Sequence, residues 1–291
     1  THWGLGDWVP VKSKTPKQFT SSIYYYVDAS ILAKTAKLFG KQDDYQKYSQ
    51  LAANIKEEIN SRFFDPKTAT YGSGFQTELS TALFWGIVPE AHSEKVAQNL
   101  AKKVISDNRH IDVGLLGSKA ILNALSENGH ADLAYEVATQ EDFPSWGAWI
   151  KEGATTLFED WKVDEERKGA MSRNHIMFGE IGAWFYKALG GIKPDPKFPG
   201  FKNILLEPHF VKGLERFEAQ HNGPHGEILS SWKKVNGKVF YDVVVPPNSS
   251  ATLIINRGKI LKKEGVKFSK NKKGAFQAQL PAGTYHFEIK L

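Results

Sequence analysis

A change of period at residues 190–200 constrains this chain more than any other feature of its sequence. Gly190-Gly191 followed by Pro194, Pro196 and Pro199 interrupts any helix. Upstream, apolar residues recur at helical spacing. Ile23, Val27, Leu32, Ala36 and Phe39 mark residues 21–39, which stop at Gly40; Tyr48, Leu51, Ile55 and Ile59 mark residues 45–63, which break at Asp65-Pro66. Further helical stretches fall at 75–85, 93–105, 113–125, 131–139 and 176–189, joined by short links rich in Gly, Pro, Asn and His, so neighbouring helices are expected to form antiparallel hairpins. Downstream the pattern shortens to strands at 228–235, 238–245, 251–255, 275–280 and 284–289. Asn236-Gly237 between the first two is the strongest short-range hairpin signal, because a type I′ turn needs positive φ at both central residues. The expected class is α + β in two domains: helical hairpins over residues 1–193 and a small antiparallel β-sandwich over residues 194–291.

With 291 residues, 41% hydrophobic and 24% charged, the chain has ordinary globular composition and length for one large domain or two unequal ones. No apolar run approaches the roughly 18 residues of a membrane-spanning helix, so no membrane partner is expected. The absence of cysteine excludes disulfides, thiolate nucleophiles and Cys-ligated metals. No Gly-rich phosphate loop, His-Glu-x-x-His motif or Gly-x-Ser-x-Gly elbow is present, and the nine histidines are scattered; neither a metal nor another cofactor is indicated. The chain starts at Thr1 with no charged and apolar leader after it, and reads as a processed or truncated piece.

Three stretches have compositions that helix packing does not require. In Trp3-Gly4-Leu5-Gly6-Asp7-Trp8 an acid stands between two indoles, an arrangement suited to holding sugar hydroxyls while aromatic planes stack on the apolar ring face. The alternative is that Asp7 caps the helix starting near Thr15. In residues 144–161, Glu159 lies among Leu157, Phe158 and Trp161, a setting that raises a carboxyl pKa by desolvation unless polar neighbours compensate, and that suits a general acid or base. The alternative places Glu159 and Asp160 on a solvated helix face. In Ser172-Arg173-Asn174-His175, Ser172 or Asn174 is the expected N-cap, putting His175 in the first helical turn at the mouth of a bundle cavity. His175 there either holds a substrate hydroxyl or water, or serves the capping turn; His110, before Ile111-Asp112-Val113-Gly114, poses the same choice.

These stretches, with Phe84-Trp85-Gly86-Ile87-Val88-Pro89-Glu90, residues 110–117 and 129–135, Pro144-Ser145-Trp146-Gly147, residues 153–159 and Asn174-His175 with Gly179, resemble in order the α-L-rhamnosidases of glycoside hydrolase family 78. The resemblance covers essentially the whole chain. It implies an (α/α)6 toroid, incomplete here because about eight helical stretches fall short of twelve, followed by the β-sandwich. It implies inverting hydrolysis of terminal α-L-rhamnosyl linkages in oligosaccharides, polysaccharides or glycosides. Glu159 maps to the general base, His175 to the sugar pocket, Asp7 and Trp8 to the Gly-Asp-Trp motif, and Trp146 to a cleft-lining Trp; with His110, the last five are the expected substrate contacts. Inversion needs two carboxyls roughly 6.5 to 9.5 Å apart so that a water fits between base and sugar. The family's acid lies upstream of Gly-Asp-Trp, so the upstream part of the same enzyme is an expected partner, and a secreted or periplasmic setting follows from the resemblance. The competing class is a non-catalytic carbohydrate-binding or scaffold protein on the same fold.

The net charge of +6 is divided unequally. Residues 1–194 hold 22 Lys+Arg against 24 Asp+Glu, and residues 195–291 hold 16 against 8. Much of the excess is Lys259, Lys262, Lys263, Lys267, Lys270, Lys272 and Lys273, which carry no interleaved aromatic platform beyond Phe268, so a nucleic-acid partner is not expected. A solvated turn is the plain reading, and weak contact with an acidic polysaccharide the alternative.

Overall fold

A computed structural model describes residues 4–163, 171–263, 265–271 and 274–291. Trp3, Lys272 and Lys273 lie outside the described residues. The chain forms two compact units, one ending at Ile181 and one running from Gly182 to Leu291.

The first unit opens with an antiparallel pair, α1 (Lys17–Leu38) and α2 (Gln42–Phe63). The turn between them uses Gly40 at φ 67, with Lys41 N–H donating back to Ala36 at 2.9 Å, so the glycine stop read from sequence is a left-handed C-terminal cap. A two-stranded ribbon, β1 (Phe64–Asp65) and β2 (Thr70–Tyr71), follows where only a break was expected. Then come α3 (Gln76–Phe84), α4 (Ser93–Ser106), α5 (Leu115–Glu127), α6 (Ala131–Ala138) and α7 (Trp146–Lys151). Helix α7 has only six residues; Ser145 caps it, its Oγ accepting from Ala148 N–H at 2.9 Å. The stretch expected as one helix over 176–189 is broken into a 3₁₀ turn (Ile176–Phe178), α8 (Glu180–Trp184) and a π-helical turn (Phe185–Leu189).

In the second unit two five-stranded sheets face each other. One has the order β10-β11-β8-β4-β3, with β3 (Ile192–Pro194), β4 (Asn203–Leu206), β8 (Ser250–Ile255), β10 (Ser269–Lys270) and β11 (Phe276–Leu280). The other has the order β5-β6-β7-β12-β9, with β5 (Arg216–Gly223), β6 (Gly226–Val235), β7 (Lys238–Val245), β9 (Lys259–Lys262) and β12 (Gly283–Lys290). Pairing is antiparallel throughout except between β4 and β8, which run parallel. Asn236 at φ 50 and Gly237 at φ 74 turn β6 into β7, as the Asn-Gly signal requires. Alternate residues on the inner faces, among them Leu206, Leu253, Leu280, Ile228, Trp232, Tyr241 and Phe287, make the core. Strands β9 and β10 are sheet edges, where lysines oppose edge-to-edge pairing with other chains.

Candidate active site

The first unit gathers a site from three segments far apart in sequence: residues 4–16, 110–117 and 145–178. Asp7, 6% exposed, spends its carboxylate inside the protein. Its Oδ2 accepts from Gly114 N–H (2.8 Å) and the Thr77 hydroxyl (2.5 Å); its Oδ1 accepts from Leu116 N–H (2.7 Å) and Gly117 N–H (3.0 Å). Trp8 carbonyl accepts the remaining early amide of α5, from Leu115 at 2.9 Å. Four backbone donors that a helix start leaves unpartnered are thus met by one dipeptide. Burial outweighs the four hydrogen bonds from Thr77, Gly114, Gly117 and Leu116 and holds the Asp7 carboxyl above its ordinary value. The sugar-binding role expected of Asp7 is therefore corrected: its oxygens are occupied, and it caps α5 rather than the helix near Thr15. Close approach here requires Gly114, because a Cβ at that position would sit 2.1 Å from the Trp8 carbonyl.

Asp112 returns the grip. It accepts from Lys12 N–H (2.8 Å), Ser13 N–H (3.2 Å) and the Ser13 hydroxyl (2.5 Å), fixing the other end of the loop. Sequence reasoning passed over this acid, as it did Gln76, which bridges Asp107, the His110 carbonyl and Asp112 N–H. The only sequence signal was that Asp112 lies between apolar residues at a helix entrance.

Downstream, an aromatic cluster sets the loop that carries Glu159. Trp149 stacks on Trp161 at 4.9 Å, Trp161 packs against Phe178 at 4.2 Å, Trp146 meets Trp161 edge-on at 5.1 Å, and Phe158 joins from the side. Each indole N–H has a carbonyl: Trp146 to Phe178 (3.1 Å), Trp149 to Trp161 (3.1 Å) and Trp161 to Val113 (2.7 Å). With Phe158 and Trp161 turned inward, Glu159 is left half-buried at the edge. Trp146, 6% exposed, belongs to this cluster, and its N–H is spent on the Phe178 carbonyl.

Residues 157–159 and 172–175 run side by side: Glu159 N–H donates to the Ser172 carbonyl and His175 N–H to the Leu157 carbonyl, both at 2.9 Å. The Glu159 carboxylate accepts from Ser172 N–H at 2.9 Å through Oε2 and from Trp8 Nε1–H at 3.3 Å through Oε1. The Ser172 amide, and after it the Trp8 indole and nearby His175, hold Glu159 below the ordinary carboxylate range. The rise expected from apolar neighbours is overcome by these polar ones. His175 itself is the N-cap, not Ser172 or Asn174; its Nδ1 accepts from Met177 N–H at 3.1 Å, so in the neutral ring the proton sits on Nε2. Trp8, Glu159 and His175 are thus brought together. The His110 ring turns elsewhere, Nδ1 to the Asn108 carbonyl and Nε2 to Asp142, both at 2.8 Å. Among the described residues no group of three or more His, Asp or Glu is placed to hold a metal ion, and no helix is long and apolar enough to cross a membrane.

Comparison with known proteins gives the family of the chain. The family model described as the bacterial alpha-L-rhamnosidase 6 hairpin glycosidase domain matches residues 1–189, and that of the bacterial alpha-L-rhamnosidase C-terminal domain matches residues 191–270. An alpha-L-rhamnosidase of Formosa agariphila is 30% identical over 96% of this chain and 32% of its own length. Among solved structures, the Streptomyces avermitilis alpha-L-rhamnosidase complexed with L-rhamnose superposes with a TM-score of 0.91 at 26% identity, over 100% of this chain and 28% of that one. The alpha-L-rhamnosidase from Dictyoglumus thermophilum gives 0.88 at 31% identity, over 98% and 34%. The chain spans about a quarter to a third of the length of the curated relatives it matches.

Proposed function

The chain belongs to the bacterial alpha-L-rhamnosidase six-hairpin glycosidase family, and from that premise we propose that it carries the water-activating half of an inverting α-L-rhamnosidase. Residues 1–193 are read as the C-terminal part of the (α/α)6 catalytic domain and 194–291 as the following sandwich. The substrate is a rhamnose-terminated oligosaccharide, polysaccharide or glycoside, and the general acid comes from the upstream part of the same enzyme.

The observation that carries this reading is the carboxylate of Glu159, ionised by its surroundings yet incompletely filled. Among the described residues each oxygen accepts one hydrogen bond, from Trp8 or from Ser172, and a carboxylate oxygen has capacity for a second. A water bound there is deprotonated by Glu159 as its oxygen attacks the anomeric carbon. The bond to the leaving oxygen breaks as the upstream acid protonates it, and the configuration inverts. His175 Nε2–H, which has no partner among the described residues, is assigned to a rhamnose hydroxyl; Trp8 offers its indole face to the ring. Trp146 supports this wall from behind, and His110 holds the adjoining loop through Asp142.

The test is Glu159→Gln in the longest form of the protein that hydrolyses an aryl α-L-rhamnoside. Turnover is expected to fall roughly 1,000-fold or more, since the amide cannot accept the proton. Because Glu159 sits below the ordinary carboxylate range, the base is ionised at neutral pH and is lost only as pH falls through that lowered value. The acid limb of kcat/KM therefore lies below the usual glutamate midpoint. Near-normal turnover by the Gln variant overturns the assignment, and rhamnose binding by every form without turnover by any returns the reading to a non-catalytic binding protein.

A further inference from the structure

We infer that Asp7 is a positioning residue for the base, acting on Glu159 through Trp8, with residues 112–117 as the common footing. This rests on the reading of Glu159 as the base. Two legs stand on those six residues. On one, the amides of Gly114, Leu116 and Gly117 hold the Asp7 carboxylate and the amide of Leu115 holds the Trp8 carbonyl. On the other, the Val113 carbonyl holds the indole N–H of Trp161, two residues beyond Glu159. The Trp8 indole N–H then closes the gap, across 151 residues of sequence, onto Glu159.

Val9 shows that the aim of Trp8 is imposed. It adopts φ 57, a left-handed conformation that a β-branched side chain avoids. Such a residue keeps this backbone only where its surroundings over-determine it. Here they do so from both flanks: Asp7 and Trp8 are fixed to the start of α5, and Lys12 and Ser13 are fixed to Asp112. With both ends tied, the backbone that carries the indole cannot shift away from Glu159 unless one of these hydrogen bonds breaks.

The inference is tested on the ¹⁵N-labelled chain by following the Trp8 indole N–H resonance, assigned with Trp8→Phe, between about pH 3 and pH 7. In the parent chain the signal follows protonation of Glu159 with a midpoint below the ordinary glutamate value, and Glu159→Gln abolishes the dependence. Asp7→Asn keeps the side-chain volume but turns an NH2 toward amide donors; the midpoint is expected to rise toward the ordinary value, or the dependence to vanish. Thr77→Val removes one of the four bonds to Asp7 without touching Trp8 or Glu159. It is expected to shift the midpoint less, in the same direction, and it serves alone if the Asn variant does not fold.

Tyr71→Phe, which removes the hydroxyl bonded to Asn60, is the control for general loosening and leaves the midpoint in place. In an active form, Asp7→Asn lowers kcat roughly 10- to 100-fold and moves the acid limb upward, with less than about a twofold change in KM. An unchanged Trp8 titration in a folded Asp7→Asn or Thr77→Val variant overturns the inference, as does a parent signal indifferent to Glu159→Gln. Failure of the base assignment reads differently: Glu159→Gln turns over normally while the Trp8 titration persists in the parent.

Discussion

The helical unit and the sandwich keep different kinds of side chain away from water. Among the described residues the first buries three carboxylates, Asp7, Glu78 and Asp112, each 6% exposed or less, together with Gln76, Thr77, Asn123 and Ser145. The second buries only Asn203, Ser230, Ser249 and Thr252 besides its apolar core, and no carboxylate. The buried carboxylates accept from backbone amides: Asp7 at the start of α5, Glu78 from Ser73 and Phe75 at the start of α3, and Asp112 from Lys12 and Ser13. Directional bonds fix where a segment lies, whereas apolar burial fixes mainly how much surface is hidden. The unit that must hold Glu159 against Trp8 is the one that uses the directional kind.

Substitutions can break this contrast. Asp7→Ala leaves three amides, two of them buried, and a buried hydroxyl without an acceptor and is expected to destabilise the first unit by about 3 kcal/mol or more, read by denaturant melts. A loss under about 1 kcal/mol would mean that the polar framework is dispensable. In the sandwich, Tyr241→Phe removes a buried hydroxyl bonded to Ser230 at 3.0 Å while keeping the ring, and Ser230 retains the Gly190 carbonyl as acceptor. The expected cost is about 1 kcal/mol. Smallest of all, Lys263→Gln with Lys267→Gln should move stability by less than about 0.5 kcal/mol. A larger loss would give these two lysines, which lie between β9 and β10, a role in folding.

The same contrast governs what the sequence discloses. The sandwich follows alternation and turn chemistry, so the β6–β7 hairpin and the cores of β8, β11 and β12 are legible, while β3, β5 and β9 lack a comparable signal. In the helical unit Trp8, Glu159 and His175 stand out from local composition and again from family motifs, but the helix that Asp7 caps is not the one its position in sequence suggests. An acid between two tryptophans looks like a sugar contact until its partners are known, and those partners lie 70 to 110 residues away. The lowered pKa of Glu159 was hidden for the same reason, because the Ser172 amide and Trp8 indole are not its sequence neighbours. Helix α7 escaped notice because six residues complete too few turns to show a period.

The parallel pairing of β4 with β8 has a consequence for how the sandwich assembles. Leu206 and Ser250 bracket 43 residues, 207 to 249, that contain β5, β6 and β7. Closing a flexible loop of that length costs on the order of 3 kcal/mol in chain entropy before any bond between the two strands repays it. The Asn-Gly hairpin inside the loop forms from local contacts and can shorten the effective span first. Strand β4 can pair at once with β3, which precedes it, but must wait for the meander that follows before it pairs with β8, so the parallel ladder closes after the local hairpins.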